Sequence, residues 1–188
     1  MNRVLFAKEW FEKGEEALNK ENVFEAYIYL WLSLTISTRE YFENRDRIKD
    51  PIHYRSGFVS DIDQIEFWAK NNYEQIMTLM NSKREDMFEL SERKGTNYGN
   101  PILDIKNSSD PAAVIQNMTD FSNYWLNENR HSSKKNLAVN LVYILNRIRN
   151  NLFHGEKFYN DENDRKLLEL VCPILKDLSS LCIHQQLN

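Results

Sequence analysis

The sequence predicts an all-α protein, a helical bundle of about five to seven helices with two polar loop insertions. Glycine and proline are scarce, with five and four residues in 188, whereas together they average about 12% of soluble proteins and strand-rich folds depend on them for turns. Apolar residues make up 41% of the chain and charged residues 28%, which excludes intrinsic disorder. Apolar residues recur at helical spacing. This length predicts one domain over residues 1–188.

The first two predicted helices occupy the N-terminal part of the chain. Residues 4–19 have the apolar spacing of an amphipathic helix, and residues 20–22 form a turn in which Asn22 can cap the next helix. The second helix, 23–44, is the most apolar stretch of the sequence. It carries no charge over 26–37, which predicts a helix buried on most sides, although this run is too short to cross a bilayer.

The middle of the chain combines one predicted helix with the two polar insertions. Residues 45–63 are polar and contain a proline and a glycine, so they are expected to form a long connection. Helical spacing returns over 62–80. A second polar stretch, 81–110, contains one short candidate helix at 86–92. Long connections inside a compact domain are often functional or variable.

Three predicted helices complete the chain. Pro111 suits the first turn of a helix that runs to about residue 127. The next helix spans about 133–153, and the last begins near residue 161. The helix over 133–153 is expected to be central because it has the most regular apolar stripe, with Leu137, Leu141, Leu145, Ile148 and Leu152 at intervals of three or four.

The charge pattern distinguishes one part of the chain from the rest. The net charge of −4 argues against a general nucleic-acid coat protein, which would be basic overall. Residues 129–155, however, contain no Asp or Glu, although 28 acids in 188 residues would place about four there. A chance fluctuation on a solvated face is the plain interpretation. The alternative is a positive patch that binds an anion; its basic residues are Arg130, Lys134, Lys135, Arg147 and Arg149.

Most familiar sites are missing from the sequence. It has no glycine-rich phosphate loop and no His pair at i, i+4, so we predict neither a metal site nor a cofactor. Cys172 and Cys182 are interpreted as buried apolar residues of the last helix. No apolar run has the length of a signal peptide or a membrane span, so the expected location is the cytoplasm, without membrane association.

The end of the helix over 133–153 groups polar residues that could act together. Asn150 and His154 are four residues apart and share a face, and Arg147 lies one turn before Asn150. Arg149 lies about 140° from His154 on an ideal helix. The negative end of the helix dipole favours a protonated His154, which suits a proton donor. The alternative is a well-capped helix whose polar residues face solvent.

These residues resemble a known signature. The run Arg-Asn-Asn-Leu-Phe-His-Gly at 149–155 is similar to the motif of the HEPN superfamily (higher eukaryotes and prokaryotes nucleotide-binding), with four residues between Arg149 and His154 and Asn150 as the polar residue. The run at 25–34, with its central Leu-Trp, resembles the early helix of Apea-like and related HEPN groups. The Gly-Glu-Lys at 155–157, followed by a leucine-rich helix, is also similar. The resemblance covers most of the chain in outline and about ten residues closely.

The resemblance implies an up-down helical bundle and a metal-independent endoribonuclease of a toxin–antitoxin or abortive-infection (phage-defence) system. HEPN nucleases act as homodimers with the motifs of both subunits in one cleft, which implies a twofold axis near His154. Carried over, Arg149 would bind the scissile phosphate, His154 would take part in proton transfer and Asn150 would orient them. Further RNA contacts would come from neighbouring polar residues: Arg147, Asn151 and Lys157.

The resemblance also leaves alternatives open. A cognate antitoxin, such as a minimal nucleotidyltransferase, would be the expected protein partner of a toxin. Some HEPN modules are not catalytic and bind nucleotides, RNA or other proteins instead. A third interpretation is a helical scaffold that dimerises through the helix over 133–153.

Overall fold

The described part of this protein is helical. The computed structural model describes residues 3–46, 60–93, 111–126, 133–153 and 162–187. Within these ranges there are eight helices and no strand, which confirms the all-α class. The helices are α1 Arg3–Asn19, α2 Val23–Asp46, α3 Asp61–Asn71, α4 Tyr73–Ser82, α5 Arg84–Glu92, α6 Pro111–Leu126, α7 Lys134–Phe153 and α8 Glu162–Leu187.

The helix count over these ranges exceeds the predicted five to seven because one predicted helix is two. The helical spacing over 62–80 belongs to α3 and α4, which meet at Asn72. The backbone of Asn72 has φ −122° and ψ 22°, outside the helical region. An asparagine side chain competes with the backbone for hydrogen bonds, so it tolerates such a break. Both predicted insertions are partly helical: α2 extends to Asp46, α3 starts at Asp61, and the short candidate helix is α5.

The turn between α1 and α2 confirms the predicted cap. Asn22 Oδ1 accepts a hydrogen bond of 3.3 Å from the backbone N–H of Glu25. Before it, the N–H of Asn22 donates to Ala17 O at 2.9 Å, and the N–H of Glu21 donates to Leu18 O at 2.9 Å. Glu21 has a φ of 56°, the left-handed conformation in which a helix commonly ends, and glycine usually occupies it. The six-residue loop closed by Asn22 satisfies a terminal carbonyl of α1.

The chain packs as two compact units. The first consists of Met1–Asn71 and Cys172–Asn188, and the second of Asn72–Val171. Helix α8 therefore contributes residues to both. Whether residues 1–188 form one domain, as the length predicts, stays a prediction. No described helix is both long enough and apolar enough to cross a membrane.

The first unit is organised by a close approach of α1 and α2. Gly14 is buried, and a Cβ added to it would lie 2.7 Å from Cγ of Leu30 on α2. The hydroxyl of Ser33 on α2 donates to the carbonyl oxygen of Ala7 on α1 at 2.9 Å. From α8, the hydroxyl of Ser179 donates to the carbonyl oxygen of Leu30 at 3.0 Å. Small residues at these contacts let the helix backbones approach, and their hydroxyl groups are satisfied by backbone carbonyls.

In the second unit, α7 is the central helix. It packs against α4 and α6, and α5 packs against α6. The predicted burial is confirmed for Leu141, Leu145 and Ile148, which are fully buried. Leu152 is only half-buried, contrary to the prediction, because it lies in the last turn of α7, where fewer neighbours cover it. Because α7 packs against α4 and α6, these helices determine which of its polar residues are buried.

Candidate functional site

The described part of the predicted HEPN motif lies in the last two turns of α7. Arg149 and Asn150 are both half-buried. Arg149 donates a hydrogen bond of 2.9 Å from Nη1 to Oδ1 of Asn150. Neighbouring residues of a helix project about 100° apart, so this bond draws the two side chains together. His154 and Lys157 lie outside the described residues; α7 ends at Phe153, immediately before His154 in the chain.

The structure separates Arg147 and Asn151 from the surface. Arg147 is 5% exposed and Asn151 is 1% exposed, so both side chains are buried. An outward-facing polar stripe through Arg147, one of the two interpretations of the sequence, is therefore wrong for this residue. The assignment of both residues to RNA contact stays a prediction. RNA approaching from solvent would reach the half-buried Arg149 and Asn150 more easily.

Burial of Arg147 reveals a feature that the sequence reasoning missed. Asn140 is also buried, with 3% exposure. It lies seven residues before Arg147, which places the two within about 20° of each other on an ideal helix, and Asn151 lies four residues further on. We call Asn140, Arg147 and Asn151 the α7 polar seam. The signal that could have found it is the +7, +4 spacing of polar residues on a helix whose other sides are apolar.

The polar seam contains hydrogen-bond donors without acceptors. Among the described residues, no acceptor reaches Nδ2 of Asn140 or Nε and Nη2 of Arg147, although these atoms are buried. Most buried polar side-chain atoms in folded proteins have a partner. The seam is therefore unusual in its chemistry as well as in its position, because a buried donor without an acceptor is unfavourable.

The charge of α7 favours anions. The helix carries Lys134, Lys135, Arg147 and Arg149 and no Asp or Glu. Both lysines are exposed in its first turn. Within the described helix, no acidic residue of α7 itself can neutralise the two arginines. A negatively charged group near α7 is stabilised by this excess of positive charge.

The cysteines do not have the surroundings of catalytic nucleophiles. Cys172 and Cys182 are fully buried, and burial raises the pKa of both thiols. Cys172 Sγ donates a weak hydrogen bond to the carbonyl oxygen of Val23 at 3.4 Å. Because thiols with raised pKa values stay protonated near neutral pH, both cysteines act as core residues. Among the described residues, no three or more His, Cys, Asp and Glu side chains form a group that could hold a metal ion.

Comparisons with known proteins give no match to this chain among family models, curated proteins or solved structures. The similarity to HEPN domains therefore depends on the residues of the chain itself, above all on Arg149, Asn150 and His154. The geometry of α7 joins the side chains of Arg149 and Asn150 directly.

Proposed function

We propose that this protein is a metal-independent endoribonuclease of the HEPN type, which acts as a homodimer in a toxin–antitoxin or phage-defence setting. The observation that carries the proposal is the hydrogen bond between Arg149 and Asn150 near the end of α7, a helix without Asp or Glu. His154 follows Asn150 by four residues in the sequence. It pairs two motif residues at the side chain and would hold the guanidinium of Arg149 in place for a phosphate. Spacing on the helix alone would leave them about 100° apart.

Arg149 would bind the scissile phosphate. A guanidinium donates two parallel hydrogen bonds to phosphate oxygens and stabilises the charge that develops on them. Asn150 would act as a positioning residue, because its Oδ1 accepts from Nη1 of Arg149 and restricts the rotation of the guanidinium. His154 would take part in proton transfer, the role for which histidine is the most common side chain near neutral pH.

The proposed reaction is an internal transesterification of RNA. The ribose 2′-oxygen attacks the adjacent phosphorus, so that a bond from O2′ to phosphorus forms while the bond from phosphorus to O5′ breaks. The 2′-hydroxyl loses its proton to water, and the departing O5′ gains one, which gives a 2′,3′-cyclic phosphate and a 5′-hydroxyl. His154 is proposed to donate the proton to O5′. No redox change occurs.

The proposed assembly places two copies of the motif in one cleft. A twofold axis near His154 makes an isologous contact, in which each subunit presents the same surface. RNA would bind across this contact. Arg147 and Lys157 would contribute less than Arg149, chiefly to salt-dependent affinity. A cognate antitoxin, such as a minimal nucleotidyltransferase, is the proposed protein partner in a toxin–antitoxin setting.

The test is cleavage of labelled single-stranded RNA by the purified full chain in EDTA. Wild type should produce 2′,3′-cyclic ends, and His154→Ala should lower the rate by about 100- to 10,000-fold, the usual contribution of a general acid or base. Arg149→Lys should also be damaging, because an ammonium cannot form the parallel pair of bonds. Lys20→Ala, which removes an exposed charge from the turn after α1, is the control and should cleave like wild type.

Sedimentation and circular dichroism would establish that each variant is folded and dimeric. If folded, dimeric wild type leaves RNA intact, the enzyme proposal fails and the non-catalytic binding module takes its place. The same holds if His154→Ala cleaves as fast as wild type. A chain that stays monomeric at tens of micromolar would contradict the proposed shared cleft.

A further inference from the structure

Arg147 has an unusual pair of buried hydrogen-bond donors. Its buried Nε and Nη2 atoms have no acceptor among the described residues. These nitrogens are adjacent along one edge of the guanidinium, the edge that donates two parallel hydrogen bonds to an oxyanion. A buried charge is tolerated when it is paired and becomes unfavourable when it is not. The geometry of the side chain therefore suits a group with two neighbouring, negatively charged oxygens.

Asn140 supplies a third donor on the same side of α7. Its Nδ2 is buried and has no acceptor among the described residues. Arg147 lies two turns later, a rise of about 10.5 Å. Long side chains on a helix lean toward its N-terminus, which carries the guanidinium of Arg147 toward Asn140. Since α7 has no Asp or Glu, the helix itself supplies no carboxylate to either donor.

We propose that the α7 polar seam binds a phosphate group. Two phosphate oxygens would accept from Nε and Nη2 of Arg147, and a third would accept from Nδ2 of Asn140. A carboxylate has only two oxygens, both of which the arginine edge would use, whereas a phosphate also offers an oxygen to the amide. The phosphate could come from inorganic phosphate or from a nucleoside monophosphate, and the experiment below separates these sources.

This site uses none of the residues proposed for catalysis, Arg149, Asn150 and His154, although its Arg147 is also proposed to add to RNA affinity. Arg149 follows Arg147 by two residues, so the two project about 160° apart, to nearly opposite sides of an ideal helix. Arg147 is buried, whereas Arg149 is half-buried and bonded to Asn150. The inference therefore does not rest on the proposed nuclease activity. A protein without any nuclease activity could carry the same phosphate site.

The test is direct binding of inorganic phosphate to the full chain, measured by isothermal titration in chloride buffer at constant ionic strength. Wild type should bind one phosphate per chain with a saturable isotherm. Arg147→Met should abolish binding, and Arg147→Lys should weaken it at least tenfold, because lysine keeps the charge but not the two-donor edge. Lys20→Met removes the same charge from an exposed position in the turn after α1 and should bind phosphate as wild type does.

Two further titrants distinguish a nucleotide from inorganic phosphate, and a phosphate group from a carboxylate. Adenosine monophosphate that binds more tightly than inorganic phosphate, with the same loss in Arg147→Lys, would assign the site to a nucleotide. Weaker or no binding of this nucleotide would assign it to inorganic phosphate. Acetate should bind at least tenfold more weakly than phosphate. Acetate that matches phosphate would overturn the assignment to phosphate.

Circular dichroism of each variant distinguishes lost binding from lost folding. If Arg147→Met does not fold, Arg147→Lys alone decides the question, because it retains the charge. The proposal is overturned if wild type shows no saturable phosphate binding, or if Lys20→Met loses as much affinity as Arg147→Lys. Phosphate binding without RNA cleavage would leave this inference standing and refute the proposed nuclease. RNA cleavage without phosphate binding would do the reverse.

Discussion

Arg149 and Asn150, consecutive residues of α7, are joined by a hydrogen bond of 2.9 Å from Nη1 to Oδ1. Both side chains are half-buried, so solvent reaches them while the helix restricts their positions. A hydrogen bond that involves a charged group contributes more than a neutral one. Asn150 therefore orients Arg149 and leaves its positive charge intact. A carboxylate in the same place would neutralise that charge.

Asn150→Ala should lower the rate of RNA cleavage about 10- to 100-fold, which corresponds to the roughly 1.5–3 kcal/mol of a hydrogen bond to a charged group. Asn150→Asp keeps the acceptor but adds a negative charge beside the proposed phosphate-binding Arg149, so it should raise KM more than Asn150→Ala does. Single-turnover and steady-state cleavage would separate the two effects. Asn136→Ala, at an exposed position of α7, should match wild type. Equal KM values for the two Asn150 variants would contradict the positioning role.

Leu145→Ala should lower the free energy of unfolding by about 2–5 kcal/mol, because it removes a fully buried side chain from the central helix. Leu152→Ala should have a smaller effect, since Leu152 is only half-buried in the last turn of α7. Urea unfolding monitored by circular dichroism measures both. Equal losses for the two variants would refute the difference in burial along α7.

Gly14→Ala should destabilise the protein by about 1–3 kcal/mol, although alanine is the better helix former by about 1 kcal/mol. The added Cβ would lie 2.7 Å from Cγ and Cδ2 of the fully buried Leu30. Shortening Leu30 removes those atoms, so the double variant Gly14→Ala/Leu30→Ala should be more stable than the sum of the single effects predicts. Thermal and urea unfolding provide the comparison. Strict additivity would show that α1 and α2 are not in this close contact.

Glu43→Gln should lower the free energy of unfolding at neutral pH but not in acid. Burial alone raises the pKa of Glu43, but hydrogen bonds and ion pairs to Arg3, and then to Arg39, hold it below the ordinary value of 4.5. A lowered pKa in the folded state means that the ionised carboxylate adds stability above the ordinary pKa. That stability is lost as the pH falls through the folded-state pKa.

The expected difference between wild type and Glu43→Gln is at most about 1 kcal/mol, because Arg3 and Arg39 are partly exposed and water screens the pairs. Urea unfolding at pH 7 and near pH 3 measures it. Glu12→Gln is the control, since Glu12 and its partner Lys8 are both more than half exposed at 3.9 Å. A difference that grows in acid would contradict the direction of the pKa shift.

The cap at Asn22 and the break at Asn72 differ in whether the local sequence predicts them. The cap at Asn22 was predictable because it depends on residues within one turn, and its amide oxygen bonds to Glu25 as expected. The break at Asn72 was not, since apolar spacing continues through it from Ile65 to Ile76. An asparagine within a helical pattern is compatible with either a continuous helix or a break, and the local sequence does not distinguish them.

The sequence by itself determined most of the helices, though not the break between α3 and α4, and the apolar side of α7, because both follow from periodic spacing along one segment. It also determined the order and spacing of Arg149, Asn150 and His154. Only the tertiary structure decided that Arg147 is buried while Arg149 stays half-buried, two residues away. The physical reason is that burial depends on the helices that pack around α7, here α4 and α6. Their positions result from contacts between segments far apart in the chain, which no local pattern encodes.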